Sequence, residues 1–178
     1  MDSITSILAV DPGTTISAWV HFSMNENRVL GFGTLANELL VVDLPFRMPD
    51  MRGLSAAHLR RNTMLVVEKM TGYGKPVGES VFETCFWTGR FVQAWGGNFV
   101  MYPRRRVKIV LLGKDKGDDK HVRAAGIAWF GGKEKAIGNK AAPGQLHKMK
   151  EHEWQALGIA LAYARELRSG VAPPAVTP

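Results

Sequence analysis

Two short apolar runs, each closed by an acid, constrain this chain more than any other feature. Ile7-Leu8-Ala9-Val10 ends in Asp11, and Met64-Leu65-Val66-Val67 ends in Glu68. Runs of this length bounded by turn formers read as buried strands, too short for helices. Pro12-Gly13 turns the chain directly after Asp11, and the Gly-rich stretch 71–78 follows closely on Glu68. Each carboxylate is thus carried at the end of a rigid strand, where its position is fixed and a ligand can come close to the main chain. An Asp in such a place is also an ordinary turn residue, so the placement alone assigns no chemistry.

The remaining pattern fills in around these two strands. Ser17 to Phe22 and Arg28 to Leu35 predict two more strands, joined by the turn Asn25-Glu26-Asn27, so the first three strands form a meander. The stretch from Val41 through Pro45 to Gly53 is compatible with a short edge strand, although its prolines make much of it irregular, and Ser55 to Arg61 is compatible with a short helix. From Glu79 to Trp95, Val81, Phe82, Cys85, Phe86, Gly89, Phe91 and Val92 recur at helical intervals, and Gly96-Gly97 ends the segment. That helix crosses over to a strand at Asn98 to Tyr102, which the handedness rule makes parallel to the strand ending in Glu68. A basic helix or turn starts at Pro103, and a further helix opens around Lys114 to Lys120 and runs to Phe130. Residues 131–144 read mostly as loop. The last helix, Glu151 to Arg168, is apolar over most of its circumference and must pack on the sheet.

At 178 residues the chain has room for one ordinary domain, taken as 1–169, with a Pro- and Ala-rich disordered tail at 170–178. The net charge of +7 favours a polyanionic partner, because clustered Lys and Arg gain affinity by displacing counterions from phosphates. A single cysteine, Cys85, excludes an intramolecular disulfide and a multi-cysteine zinc site, and is expected in the core. No apolar run approaches the roughly 18 to 20 residues of a membrane span, so a soluble cytoplasmic protein without a membrane partner is expected.

The order of elements, three antiparallel strands followed by a parallel strand, a crossover helix, another parallel strand and a C-terminal helix, is that of the ribonuclease H-like fold. In it the first and fourth strands lie side by side. The segments Ile7 to Thr14, Val66-Val67-Glu68-Lys69-Met70 and His152 to Ala160 resemble the three active-site segments of RuvC-type Holliday-junction resolvases. The Gly-rich loop, Phe86-Trp87-Thr88-Gly89-Arg90 and Phe130-Gly131-Gly132 narrow the resemblance to RuvC-like nucleases of phages and prophages, over about residues 6–168.

The resemblance implies an α/β fold with a mixed five-stranded sheet flanked by helices, and a metal-dependent endonuclease that resolves four-way DNA junctions by paired cuts. Phosphodiester hydrolysis needs an activated water and neutralised charge, which two Mg²⁺ or Mn²⁺ ions about 3.5 to 4 Å apart supply together. On this pattern Asp11 bridges two metals per active site, Glu68 binds one, and His152 serves as a ligand or moves a proton. Where the family often has a second acid three residues on, this chain has Gln155, an uncharged amide. Glu153 and Asp119 are the foremost acids to compensate, with Glu151 and Asp118 behind them; helix capping and dipole effects account equally well for such acids.

Tyr73 and Lys75 in the loop after Glu68 suit an unpaired base and its phosphate, and Arg104, Arg105, Arg106, Lys108, Lys114, Lys116 and Lys120 suit the DNA backbone. A two-fold substrate implies a homodimer, with Phe82, Phe86, Trp87 and Phe91 as the natural face. Two alternatives stand beside resolution: a junction-binding protein that does not cut, for which Gln155 argues, and a nuclease for flaps or other branched DNA. Asp11-Pro12-Gly13-Thr14-Thr15 also resembles the phosphate hairpin of actin-like kinases, which need two such domains and hence a longer chain.

Overall fold

The computed structural model describes residues 4–44, 60–72, 74 and 76–171. Strands β1 (Ser6–Asp11), β2 (Ile16–Ser23) and β3 (Arg28–Ala36) form the antiparallel meander, and helix α1 (Asn37–Asp43) follows. Then come β4 (Thr63–Lys69), α2 (Glu79–Trp95), β5 (Phe99–Pro103), α3 (Arg104–Leu112), α4 (Asp119–Trp129), the single turn α5 (Lys133–Ala136) and α6 (Glu151–Arg168). The five strands make one mixed sheet in the order β3-β2-β1-β4-β5, with β4 parallel to both β1 and β5. This is the mixed sheet flanked by helices that the sequence pattern predicts.

Strand β1 is apolar on consecutive residues because both of its faces are covered. Ile7 and Ala9 belong to a core built with α6, whereas Leu8 and Val10 belong to a second core built with Leu40, Leu44, Trp87, Phe91 and Trp95. Strand β4 divides the same way, Val66 toward α6 and Leu65 and Val67 toward α2. Side chains alternate across a strand, so Asp11 shares the face of Ile7 and Ala9, and Glu68 shares that of Val66. Both acids therefore lie on the α6 side of the sheet. Helix α6 is buried from Glu153 to Ala164 because the sheet lies on one side of it and α3 and α4 on the other. Gly158 permits that crossing: a Cβ there would stand 2.5 Å from Val122 Cγ1.

Several details differ from the sequence expectations. Val41 and Val42 lie in α1 rather than in an edge strand, since Leu40 and Leu44, one helical turn apart, anchor that segment on the α2 side. The segment 131–144 contains α5 and a bridge between Gly138 and Pro143. Cys85 is exposed, not core, because α2 buries Thr84, Trp87, Thr88, Phe91 and Trp95 and turns its other face outward. Of the helix expected at Ser55 to Arg61, residues 55–59 lie outside the described residues, as does 172–178 of the tail.

Candidate active site

The turn after β1 is clasped from two sides. Gly13 N donates to Ser17 Oγ (3.1 Å), Ser17 Oγ donates to Asn37 Oδ1 (2.6 Å), and Asn37 Nδ2 returns to Gly13 O (3.0 Å). Asn37 is fully buried at the start of α1. Glycine is required at position 13, since a Cβ would meet the Ile16 carbonyl oxygen at 2.2 Å. The clasp fixes the end of β1 and with it Asp11.

Asp11 and Glu68 are neighbours across the parallel pair, one step beyond the Val10–Val67 pairing. Their carboxyl groups lie close enough that each perturbs the titration of the other. His152, in the first turn of α6, brings Nδ1 to 3.3 Å from Asp11 Oδ2. A cleft of about 320 Å³ opens over this end of the sheet, lined by Asp11, Gly13, Thr14, Arg104, His152 and Gln155 among others. β1 and α6 thus bring together two acid-base groups that are 141 residues apart.

Arg104, the first residue of α3, reaches into the same cluster. Nη1 lies 3.6 Å from Glu68 Oε2, and Nη2 lies 2.5 Å from Asp119 Oδ1 and 3.5 Å from Gln155 Oε1. The sequence reading placed Arg104 among the phosphate contacts; the sheet also sets it against the acids, because β5 runs beside β4 and Tyr102 pairs with Glu68. Asp119 joins the cluster through this arginine.

Crowding two acids in a desolvated corner changes their titration. Burial raises the pKa of Asp11, with His152 and Arg104 pulling the other way. Glu68 is pushed up to about 7, first by burial and then by the charge of Asp11, against the pull of Arg104. Arg104 itself remains charged: burial opposes its charge, but Glu68, Asp119 and Asp11 outweigh that and raise its pKa. Glu68 therefore exchanges a proton near neutral pH, which suits a site that trades a proton for a cation.

Other predicted residues fall elsewhere. Glu153 does not join the cluster: its carboxylate accepts from Thr34 Oγ1 (3.1 Å) and from the Lys150 backbone N–H (2.6 Å), tying the start of α6 to β3. Position 153 points to the sheet while 152 and 155 point to the cleft. Glu151 lines the cleft instead, and Asp118 is the N-cap residue of α4, paired with Lys120 at 3.2 Å. Arg106 has a structural partner, since Nε and Nη2 hold the buried Glu166 at 2.7 and 2.6 Å. Tyr73 and Lys75 lie outside the described residues. Lys114, Lys116 and Lys120 are exposed, and Arg105, paired with Asp115 at 2.9 Å, lines a second cleft with Arg104, Lys108 and Asp115. The Ser17–Asn37 clasp and the inward turn of Arg104 were not foreseen; both depend on long-range packing that leaves no local pattern.

No protein-family model and no curated protein matches this sequence. Among solved structures, Thermus thermophilus RuvC superposes with a TM-score of 0.69 at 18% identity, covering 96% of this chain and 99% of that one. The fold is that of RuvC. A second structure, T. thermophilus RuvC in complex with Holliday junction substrate, gives a TM-score of 0.68 at 17% identity, with the same coverage of both chains. So low an identity under so complete a superposition means that the RuvC frame is carried by the pattern of strands and helices, not by residue-for-residue likeness.

Proposed function

We propose that this chain is a metal-dependent, structure-selective DNA endonuclease that resolves four-way junctions, a RuvC-like resolvase of phage type built as one nuclease domain over residues 1–169. The observation that carries the reading is the convergence of Asp11, its strand neighbour Glu68 and His152 at one end of a RuvC-type sheet, beside a cleft that Asp11 and His152 line. Among the described residues no set of three or more His, Cys, Asp or Glu side chains is gathered to hold an ion unaided. That donor set fits Mg²⁺ or Mn²⁺, which commonly bind one or two carboxylates and complete their shell with water and substrate phosphate.

Asp11 and Glu68 are the residues that would hold the ion. When bound, such an ion lowers the pKa of water and neutralises charge on the attacked phosphate. His152 has Nδ1 committed to Asp11, which leaves Nε2 to exchange a proton with a ligand in the cleft. Gln155 offers an amide hydrogen bond without charge. Lys108, Lys114, Lys116, Lys120 and Arg105 extend the positive surface from the cleft along α3 and the start of α4, in the manner of a phosphate track.

A homodimer fits both the two-fold substrate and the outer face of α2, where Phe82 and Phe86 are 63% and 54% exposed, whereas Trp87 and Phe91, expected on that face, are buried in the core. Among the described residues no helix is long and apolar enough to cross a membrane.

The test is incubation of the protein with a labelled immobile four-way junction, a flap and a linear duplex of the same sequence, in Mg²⁺, Mn²⁺ or EDTA. Symmetric nicks at the junction that vanish in EDTA support resolution. Equal cutting of the flap makes the protein a general branched-DNA nuclease. Binding without cuts in either metal makes it a junction-binding protein, the role for which Gln155 argues.

A further inference from the structure

Three oxygens from three separate elements converge on one cation. Glu68 Oε2 comes from the end of β4, Asp119 Oδ1 from the start of α4 and Gln155 Oε1 from the first turns of α6, and all three face the guanidinium of Arg104. Two carboxylate oxygens and an amide carbonyl are the kind of ligands that a second hard divalent ion would need. A cation tethered to the chain already stands at their focus.

Arg104 differs from the other arginines of this region. Arg106 is locked onto the buried Glu166, and Arg105 pairs with Asp115 at the exposed surface. Arg104 keeps 37% of its side chain exposed while lining the cleft that holds Asp11 and His152. It is therefore held by acids on one side and open to a ligand on the other. On the Asp11 side the nearest groups are Glu68 and the ring of His152, and the charge of Arg104 reaches Asp11 from across the cluster.

We propose that Arg104 is a catalytic residue that supplies the second positive charge of the site, so that each chain takes one divalent ion, on Asp11 and Glu68, rather than two. The inference rests on the nuclease reading above. In hydrolysis a water oxygen bonds to phosphorus and one P–O ester bond breaks; the water gives up one proton and the departing oxygen takes one. The guanidinium is asked for no proton. Its planar fork stabilises negative charge gathering on the phosphate oxygens, a duty that a permanently charged donor with five N–H groups performs at any working pH. The uncharged Gln155 follows from the same arrangement: an acid there would recruit a second ion to a place that Arg104 fills.

Counting ions tests this without relying on activity. The full chain is titrated with Mn²⁺ while free Mn²⁺ is followed by electron paramagnetic resonance. Wild type is expected to bind one ion per chain, and the double variant Arg104→Ala/Gln155→Asp two. In parallel, Arg104→Ala should slow junction cleavage at least ~10²-fold with binding of the junction retained, and Arg104→Lys should recover part of that loss. Two ions on the wild-type chain, one ion on a folded double variant, or an undiminished Arg104→Ala rate would each overturn the proposal while leaving the nuclease reading in place. If the double variant does not fold, the wild-type count and the Lys variant still decide. No ion on wild type, with an identical trace for Asp11→Asn, would remove the nuclease reading itself.

Discussion

Asp11 and Glu68 end two parallel neighbouring strands and lie side by side on the face of the sheet that α6 covers. Because the pair meets His152 through Asp11, its loss should be felt in the chemical step. Asp11→Asn and Glu68→Gln are each expected to reduce junction cleavage by at least ~10²-fold, about 2.7 kcal/mol of barrier, with junction affinity unchanged. A gel-shift and a cleavage time course on the same junction measure both. Cutting at the wild-type rate by either variant would displace the site.

Glu68 also makes stability depend on pH in an unusual direction. Its pKa rises from an ordinary 4.5 to about 7, so the folded state favours the protonated form. That contribution is complete below pH 4.5 and is lost as the pH climbs through about 7. The permanently neutral Glu68→Gln should melt with wild type near pH 4 and be the more stable by roughly 2 to 3 kcal/mol at pH 8. Thermal melts across that range check the sign; a less stable variant at pH 8 would mean that the Arg104 pairing outweighs burial.

Arg106 and Lys114 should separate cleanly although both lie in the basic segment. Glu166, 4% exposed, accepts from Arg106 at 2.7 Å and from Tyr102 Oη at 2.7 Å, and burial together with that carboxylate keeps the Tyr102 hydroxyl protonated. Arg106→Ala removes a charged hydrogen-bond partner from a buried acid and should destabilise the fold by about 2 kcal/mol, seen in denaturant melts.

The exposed lysines predict the converse. Replacing Lys114, Lys116 and Lys120 by Ala should leave melting unchanged, and the slope of log affinity against log salt should become shallower by about one for each phosphate contact removed. Filter binding at several salt concentrations gives the slope. An unchanged slope would put the DNA on another face.

The elements that carry strong periodicity were legible from the sequence. Both α2 and α6 begin and end where the apolar spacing predicts, and the two acid-ended strands lie side by side as the resemblance implies. Residues 37–43 were harder to read, because a short apolar stretch fits a strand or a helix and only the packing of Leu40 and Leu44 decides. In the site, Asp11 and Glu68 could be placed because strand ends announce themselves in the sequence. Glu153 could not be separated from His152 and Gln155 by spacing alone, since one step around a helix turns a side chain by about 100°. Arg104 was hidden for a different reason: a basic run looks alike whether its members face solvent or an acid cluster built from three distant segments.

The alternation that puts both acids on one face of the sheet has a consequence for which changes the chain can accept. Within β1 and β4 an apolar residue can replace another of similar size with modest loss, since each position asks only for volume. Inserting or deleting one residue ahead of Asp11 or Glu68 is another matter: it would swing the carboxylate to the α2 side of the sheet, opposite His152, while leaving a strand of acceptable composition. Related chains that keep this site should therefore drift freely in the identity of these strand residues and hold their number fixed.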